Sequence, residues 1–312
     1  MTNILLDCDP GHDDMVAIMV AAAREDLNLL GVTSVAGNQT GDRTFANAGK
    51  VLTLIRETEL PLARGCDQPM VRALETAPNI HGKSGLDGAD LPDSQVVAQR
   101  LHAVDFLEKT LAGAAEPVTL VPTGPLTNIG MLLRKNPGIV EKIERIVLMG
   151  GAVYESNVTP AAEFNIYVDP EAASLVFNAG PPVTMVGLDV TNRALLTMED
   201  IDAIGALDGH VSRLVAPLLR FFAGAYRDNF GIAGAPLHDA LAVMAVAVPE
   251  VLTTRRVRVD VETTGTFTRG RTVVDVHGVT GRSPNADVAF DLDVSAFKEM
   301  VFETMRAMDA RE

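Results

Sequence analysis

The segment Ile4–Asp14 constrains the fold of this chain more than any other, because an apolar run turns there into an acidic corner within a few residues. Its first residues, Ile4–Leu6, predict a buried strand that stops at Asp7. Pro10-Gly11 predicts a turn, and a helix with a regular apolar stripe is predicted to begin directly afterwards. The strand-to-helix corner therefore carries four carboxylates within eight residues: Asp7, Asp9, Asp13 and Asp14.

This acidic corner predicts a cation site. A helix N-terminus favours anions through its free N–H groups and its dipole, but that partial charge is too small to neutralise four carboxylates. Crowded carboxylates without a counter-ion take up protons. A hard divalent cation such as calcium or magnesium removes the conflict, because such ions prefer oxygen ligands. A solvated acidic turn with a helix cap would account for a lone Asp-Asp pair, but a cation site accounts better for this dense pattern.

Strand and helix patterns alternate along the rest of the chain. Strands are predicted at 29–36, 61–64, 118–121, 145–149 and 183–188, with two or three more after residue 255. Helices are predicted at 44–56, 95–112, 126–134, 170–178, 214–229, 240–248 and 295–308, and long loops at 68–93 and 152–168. No repeat or linker composition interrupts this order. Residues 1–312 are therefore predicted to form one doubly wound α/β domain, a mostly parallel sheet flanked by helices with a small C-terminal strand extension.

The predicted strands share one property at their ends. Each apolar strand runs out onto a polar residue or glycine: Asp7 and Asp9, Asn38, Thr123-Gly124, Gly150-Gly151 and Asp189. Any one of these could be ordinary turn chemistry. The carboxyl ends of parallel strands, however, meet at one edge of a sheet, where open α/β folds bind ligands. The pattern therefore predicts a binding crevice at that edge.

Composition excludes several classes of partner. The net charge of −15 repels phosphate backbones, which argues against binding of polymeric nucleic acid. No apolar run is long enough to span a bilayer, so no membrane partner is expected. The polar start of the chain lacks a signal-peptide pattern and predicts a cytoplasmic location. Cys8 and Cys66 are too few for a disulfide framework, and Cys8 is predicted to be a small buried hydrophobe.

A second acidic helix start lies far along the chain, at Gly234–Ala240. There Asp239 opens another apolar helix and His238 precedes it directly. A histidine before such a helix is often a cap or a packing residue. Next to an aspartate and after a glycine-rich segment, His238 is also a candidate acid beside a metal ligand.

These motifs resemble those of the inosine-uridine nucleoside hydrolase family. The first is the acidic corner itself, Asp7-Cys8-Asp9-Pro10-Gly11-His12-Asp13-Asp14. The others follow in the order of the family: Val35–Asn38, Asn79–Gly82, Pro122–Asn128, Leu148–Gly151, Ala162–Ile166 and Leu237–Ala240. The resemblance implies a calcium-dependent enzyme that hydrolyses the N-glycosidic bond of ribonucleosides to ribose and free base, serving nucleoside salvage. Homodimers or homotetramers are expected by analogy.

The resemblance also implies a role for each matching residue. Calcium would be held by Asp9, Asp14, Asp239 and the carbonyl of Thr123, and Asp9 would take a proton from the bound water. The ribose would be gripped by Asp13, Asn38, Glu163 and Asn165, with Asn157 near its 5′-hydroxyl and Met149 beneath it. Asp7 would order the corner from behind the ligands.

The resemblance also places four residues at the nucleobase of the substrate. His81 and His238 would face it and assist its departure, while Phe222 and Tyr226 would lie on a mobile helix and loop, 222–235, that closes over it. For Met149 and Phe222, simple core packing is an equal alternative. The two histidines resemble members that accept pyrimidine nucleosides or both classes, and the absence of tryptophan differs from purine-specific members. Preference for uridine and cytidine over inosine stays open at this point.

Two other functions fit parts of the sequence. A strand that ends in Asp-x-Asp also opens the magnesium-dependent haloacid dehalogenase phosphohydrolases, but Gly11 stands where their pattern requires threonine or valine. A nucleoside- or sugar-binding protein without turnover is the other alternative. The intact Asp9, Asp14 and Asp239 give no support for a loss of catalysis.

Overall fold

The structure is a computed structural model that describes residues 1–311. Its strands are β1 (Thr2–Cys8), β2 (Leu27–Ser34), β3 (Leu62–Arg64), β4 (Val118–Pro122), β5 (Ile143–Met149), β6 (Val183–Val186), β7 (Leu195–Leu196), β8 (Ala235–Pro236), β9 (Leu252–Val261), β10 (Thr272–Asp275) and β11 (Ala286–Leu292).

The helices alternate with these strands. They are α1 (His12–Ala23), α2 (Gly41–Leu54), α3 (Pro78–His81), α4 (Ala103–Gly113), α5 (Thr127–Lys135), α6 (Phe164–Val168), α7 (Pro170–Asn178), α8 (Leu188–Thr191), α9 (Met198–Gly205), α10 (Ser212–Phe230), α11 (His238–Ala247) and α12 (Val294–Asp309). Two short 3₁₀ helices occupy Pro137–Lys142 and Pro249–Val251. Within residues 1–311, no helix is both long enough and apolar enough to cross a membrane.

The central sheet has nine strands in the order β10-β9-β11-β6-β5-β4-β1-β2-β3. All neighbours pair in parallel except β9, which runs antiparallel to β10 and β11. The chain winds outward from β1 to β3 in one direction and from β4 onward in the other. This arrangement confirms the predicted doubly wound α/β fold with a C-terminal strand extension. It also puts the point where the winding reverses between β1 and β4, which is where such sheets bind ligands.

Strand β1 shows how the sheet is buried on both faces. Ile4, Leu6 and Cys8 belong to an apolar cluster that also holds the stripes of α1, α10, α11 and α12. Leu5 faces the opposite cluster, formed largely by α4, α5 and α7. Burying each such side chain contributes about 1.5–3 kcal/mol, so β1 is held firmly between two layers. The prediction that Cys8 faces the core is confirmed, since it is fully buried.

Most predicted elements are present with ends shifted by a few residues, and the main error concerns 95–112. The helix begins only at Ala103, where the His102 ring accepts the amide of Val104 at 3.3 Å. The preceding residues are irregular, because the amide of Gln99 pairs with the carbonyl of Leu62 at the sheet edge instead of continuing a helix. Helices α8 and α9 were not predicted. Helices α3 and α6 lie inside the two predicted loops, 68–93 and 152–168.

Candidate active site

Asp14 joins the two strands at the reversal point. It lies in the first turn of α1, and its Oδ2 accepts the backbone amide of Gly11 at 3.0 Å. Its Oδ1 accepts the hydroxyl of Thr123, just after β4, at 2.8 Å. A side chain at Gly11 would collide with His81, since a Cβ there would lie 2.4 Å from Nδ1 of that ring. The Pro-Gly turn is therefore required by close packing as well as by chain direction.

Asp9 occupies a slot between two glycines. A Cβ on Gly37 would lie 2.1 Å from Asp9 Oδ2, and a Cβ on Gly124 would lie 2.6 Å from Oδ1. The Oδ2 atom accepts the amide of Asn38 at 2.6 Å, whereas the buried Oδ1 has no hydrogen-bond partner in residues 1–311. The carboxylate is thus held in place while one oxygen stays available for a ligand or a proton.

A compact group of three carboxylates lies next to Asp9. One oxygen from each of Asp13, Asp14 and Asp239 lies within 4.8 Å of the others, and all three residues are buried. Asp9 lies outside that group of three. The buried Oδ1 of Asp13 lacks a hydrogen-bond partner, and within the described chain no lysine or arginine forms an ion pair with any of these carboxylates.

The electrostatics of this acidic floor, meaning Asp9, Asp13, Asp14 and Asp239, demand a positive partner. Burial and, after it, repulsion from Asp14 raise the pKa of Asp13 to about 7. Burial and the neighbouring carboxylates hold the pKa of Asp9 and of Asp239 well above the usual range. Carboxylates that resist ionisation for want of a counter-charge, with oxygen donors only, match the requirements of a hard divalent cation.

Asp7 lies behind the floor and does not line the cavity. Its Oδ1 accepts the hydroxyl of Thr33 at 2.5 Å and the amide nitrogen of Asn128 at 2.7 Å. Burial raises the pKa of Asp7 to about 7 despite these hydrogen bonds. Asn128 also accepts the amide of Cys66 and so ties the corner to the segment after β3. This position suits a residue that orders the corner from behind.

Above the floor lies an open cavity with about 680 Å³ of atom-free space, which includes solvent at its mouth. Most of the predicted site residues line it: Asp13, Asn38, His81, Thr123, Met149, Asn157, Glu163, Asn165, Tyr226, His238 and Asp239. Asp7, Asp9, Asp14 and Phe222 are not among the lining residues. The structure therefore brings the predicted sugar-binding and base-facing residues to a single cavity, with the remaining aspartates beneath it.

The polar side wall is built on the start of α6. Glu163 caps this helix, because its Oε1 accepts the amide of Asn165 at 2.9 Å. Its Oε2 accepts the amides of Ile166 at 3.1 Å and Gly151 at 2.9 Å. Asn165 in turn donates to the carbonyl of Thr123 at 2.7 Å. Glu163 and Asn165 are thus fixed against the strand ends, with their remaining acceptor capacity directed to the cavity.

Two histidines stand at the opposite end of the cavity. The His238 ring is held by hydroxyls on both sides, Thr191 at 2.7 Å from Nδ1 and Tyr226 at 2.7 Å from Nε2. His81 stacks on His12 and lies 3.3 Å from it, nitrogen to nitrogen. Burial lowers the pKa of His238 to about 3 and that of His81 well below its usual range. Both rings are therefore neutral near pH 7.

Phe222 and Tyr226 lie on helix α10, whose end forms the first part of the predicted segment 222–235, and the mobility of that segment stays a prediction. Phe222 is fully buried and packs against the rings of His12 and His81, with centroids 5.2 Å and 5.3 Å away. It supports His81 from behind, so core packing describes its location. Tyr226, one helical turn later, does reach the cavity. Phe222 and Tyr226 are four residues apart, so both side chains lie on the buried face of the helix, which ends at Phe230.

Several cavity residues were not predicted from the sequence. They are Thr76, Ala77, Asn79, Ile80, Val158, Phe164 and Phe230. Asn79 and Ile80 belong to a quoted family motif, which could have indicated them, and Asn79 donates to Asn229 across the cavity rim at 3.2 Å. Thr191, the partner of His238, lies in the unpredicted helix α8, so no sequence signal pointed to it.

An acidic, oxygen-lined floor under a polar cavity at the reversal point of a doubly wound sheet defines a small-molecule site suited to a cation and a sugar. The sequence profile of inosine-uridine preferring nucleoside hydrolases matches residues 4–299. A pyrimidine-specific ribonucleoside hydrolase RihA from Escherichia coli O7:K1 is 48% identical over 304 residues, covering 97% of this chain and 98% of that protein.

Solved structures agree with this assignment. A purine-preferring ribonucleoside hydrolase from Gardnerella vaginalis is similar with a TM-score of 0.93 and 33% identity, covering 99% of both chains. An inosine-guanosine nucleoside hydrolase has a TM-score of 0.90 and 30% identity, covering 98% of this chain and 99% of that one. The chain belongs to the inosine-uridine preferring nucleoside hydrolase family. It is a hydrolase of the N-glycosidic bonds of ribonucleosides, and the phosphohydrolase interpretation is not supported.

Proposed function

We propose that this enzyme is a calcium-dependent ribonucleoside hydrolase that prefers pyrimidine nucleosides. The observation that carries the proposal is the acidic floor. One oxygen from each of Asp13, Asp14 and Asp239 lies within 4.8 Å of the others, Asp9 has an unpartnered oxygen, and no lysine or arginine within residues 1–311 pairs with these carboxylates. Carboxylate and carbonyl oxygens are the ligands calcium prefers, and the cavity above leaves room for a sugar.

The residues proposed to hold the ion are Asp9, Asp14, Asp239 and the carbonyl of Thr123. Asp13 lies close enough to these to bind a ribose hydroxyl next to the ion, or to serve as a further ligand. When bound, the ion would orient the ribose hydroxyls and make a coordinated water more acidic. Calcium acidifies water much less than zinc does, so a separate base is needed.

Asp9 is proposed as that base. Its Oδ2 is held by the amide of Asn38, which leaves the unpartnered Oδ1 to accept a proton from the attacking water. Its raised pKa makes it a better proton acceptor than an exposed aspartate once it is ionised. Direct attack by water on the anomeric carbon inverts its configuration and needs no covalent intermediate.

The side wall suits the charge that develops on the sugar. Breaking the N-glycosidic bond builds positive charge on the ribosyl ring. Oxygens of Asp13, Asn38, Glu163 and Asn165 border the cavity on that side and can stabilise this charge without reorganising. Met149 closes the cavity from below.

The histidine end is proposed to help the base leave. His238 Nε2 and the Tyr226 hydroxyl form one hydrogen-bonded unit that can give one proton to the departing base. The proton that the attacking water gives to Asp9 balances this loss when the site is reset through solvent. His81 is the second candidate donor. Because both histidines are neutral, they can donate through N–H without repelling the developing sugar cation.

Pyrimidine preference is proposed from the relative that is 48% identical over 97% of this chain. The base end of the cavity is bordered by His81, Tyr226, Phe230 and His238 and by no tryptophan, since the chain has none. Small polar bases can hydrogen-bond to His81, Tyr226 and His238 there, whereas no indole ring is offered for stacking a purine.

Ribose release from uridine, cytidine and inosine tests this proposal. We expect turnover with a higher kcat/KM for uridine than for inosine, loss of activity after chelation, and recovery with calcium. Binding of uridine without ribose release would show a nucleoside-binding protein instead. A cytoplasmic location, a single domain over 1–312 and a homodimer or homotetramer stay predictions, and sedimentation of the pure protein checks the last.

A further inference from the structure

The C-terminal strand extension reaches the rim of the cavity. The connection between β9 and β10 ends at Arg271, and the loop that follows β5, residues 150–163, lies against it. That loop carries Asn157, Val158 and Glu163, which all line the cavity. The extension is thus in position to control the shape of the loop.

Arg271 binds both limbs of this loop. Its Nη1 donates to the carbonyls of Glu155 and Ala161, each at 3.2 Å, and its Nη2 donates to the carbonyl of Val153. Glu155 and Val153 precede the loop tip, whereas Ala161 follows it. A planar guanidinium can serve three carbonyls in one plane, and a lysine ammonium cannot reproduce that fork. The Arg271 side chain therefore joins the two limbs of the loop.

The hydrogen bonds from Arg271 hold the part of the loop that carries Asn157. Across the tip, the amides of Asn157 and Val158 pair with the carbonyl of Ala162 at 3.2 Å and 3.3 Å. Asn157 Oδ1 accepts the amide of Phe164 at 2.9 Å, so its Nδ2 is left to donate into the cavity. The loop base is held separately by Thr272, which bonds both backbone groups of Ala152. Arg271 therefore joins the two limbs that flank the tip, whereas Thr272 holds the base.

We infer that Arg271 is a positioning residue that sets Asn157 for the ribose 5′-hydroxyl. The inference rests on the proposed function, because it takes the sugar to lie with its 5′-hydroxyl at this wall. Arg271 does not line the cavity and acts through the loop. Without it, the hydrogen bond from Asn157 weakens while the floor and the histidine end are unchanged.

The test compares uridine with 5′-deoxyuridine, which lacks only the hydroxyl in question. A substrate hydrogen bond contributes about 3- to 10-fold in kcat/KM. For Arg271→Met we expect kcat/KM on uridine to fall by about that factor, mainly through KM, and that on 5′-deoxyuridine to change little. Arg271→Lys should recover part of the preference for uridine. Arg255→Met is the matched control, because Arg255 stacks on Phe290 in the same extension and is exposed.

A double variant shows whether the effect runs through Asn157. If it does, adding Arg271→Met to Asn157→Ala causes no further loss of the preference for uridine over 5′-deoxyuridine. Equal losses on both substrates, or additive losses in the double variant, would overturn the inference and assign Arg271 to general stability. If Arg271→Met does not fold, Arg271→Lys and the same two substrates decide the matter. Wild-type protein that releases no ribose would overturn the proposed function and this inference together. An active wild type, with an Arg271→Met variant that discriminates uridine from 5′-deoxyuridine as well as wild type does, overturns only the inference.

Discussion

The acidic floor and the histidine end face the same cavity, and burial acts on them in opposite directions. At the floor, burial raises the pKa of Asp13 to about 7. At the other end, burial lowers the pKa of His238 to about 3. In both places removal from water penalises the charged form. The floor needs an added cation to become charged, whereas the neutral histidines have neutral partners, hydroxyls at His238 and the His12 ring at His81.

The largest expected effect comes from removing a floor carboxylate. Asp14→Ala takes away a proposed ligand together with the bonds to Gly11 and Thr123. We expect loss of calcium binding and a fall in kcat/KM beyond the ~10⁴-fold upper value for a single general base. Calorimetric calcium titration and ribose release from uridine measure the two effects. A variant that keeps activity in verified metal-free form would contradict the role of the ion.

Asp9→Asn should have the next largest effect. Asparagine keeps the size and one oxygen ligand but cannot accept the proton. Since Asp9 is both base and proposed ligand, we expect a loss in kcat at the upper end of ~10²–10⁴-fold. The control is calcium affinity measured on the same variant. If calcium still binds and kcat lies within about tenfold of wild type, another group is the base.

A smaller and substrate-dependent effect is expected at the histidine end. His238→Ala should lower kcat on uridine by about 10²-fold with a smaller change in KM, because the proton is needed in the transition state. A nitrophenyl riboside, whose leaving group needs no proton, should be cleaved almost normally.

The comparison of substrates also sets the control for His238. Equal losses on both substrates, together with lower thermal stability, would identify His238 as a packing residue. If its loss affects both substrates equally while His81→Ala separates them, His81 is the donor. Tyr226→Phe, which removes only the hydroxyl at 2.7 Å from His238, should lower kcat on uridine by less than His238→Ala does.

The smallest effect is on the free energy of unfolding, and its dependence on pH has opposite signs for the buried aspartates and the buried histidines. The pKa values of Asp7 and Asp13 are about 7 in the folded protein, against an ordinary value of 3.8. Without calcium, their contribution to the free energy of unfolding is therefore complete below about pH 4 and is lost as pH rises through 7. His12 and His238 have folded values of about 4 and about 3 against 6.5, so their contribution is full above pH 6.5 and is lost on acidification.

Thermal unfolding with and without calcium separates these contributions. The difference in Tm between loaded and chelated protein should grow by roughly 5 °C between pH 4 and pH 7, because the ion removes the penalty of ionising the floor. The loaded protein should still lose stability on acidification. A Tm difference that shrinks as pH rises over this range would show that the floor carboxylates are not the source.

The two regions also differ in how far the sequence could predict them. Asp7, Asp9, Asp13 and Asp14 are adjacent in the chain, and a strand followed by a tight turn leaves little choice about where they go. The doubly wound order could be predicted for the same reason, from alternating local patterns. Asp239 was predicted because it repeats the acidic helix start, but its approach to Asp13 depends on α1 packing beside α11.

The histidine end was harder to predict from the sequence because it is formed by packing between segments that are distant in the chain. His81 and Tyr226 were identified by family resemblance, but Thr191 comes from a helix that no local pattern predicted. Phe222 has the spacing of both a core residue and a cavity residue, and only the position of His12 and His81 decides between them. The error at 95–112 has the same origin, since pairing of Gln99 with Leu62 at the sheet edge outweighs local helix propensity.

The distance in sequence between the two parts of the floor sets an order of events during synthesis. Asp9, Asp13 and Asp14 leave the ribosome early, but Asp239 follows only after three quarters of the chain has been made. At about 5–20 residues per second, the nascent chain spends more than ten seconds with an incomplete ligand set. Under the proposed function, tight ion binding is thus linked to docking of α11, and uptake of calcium is expected to report that α11 has docked.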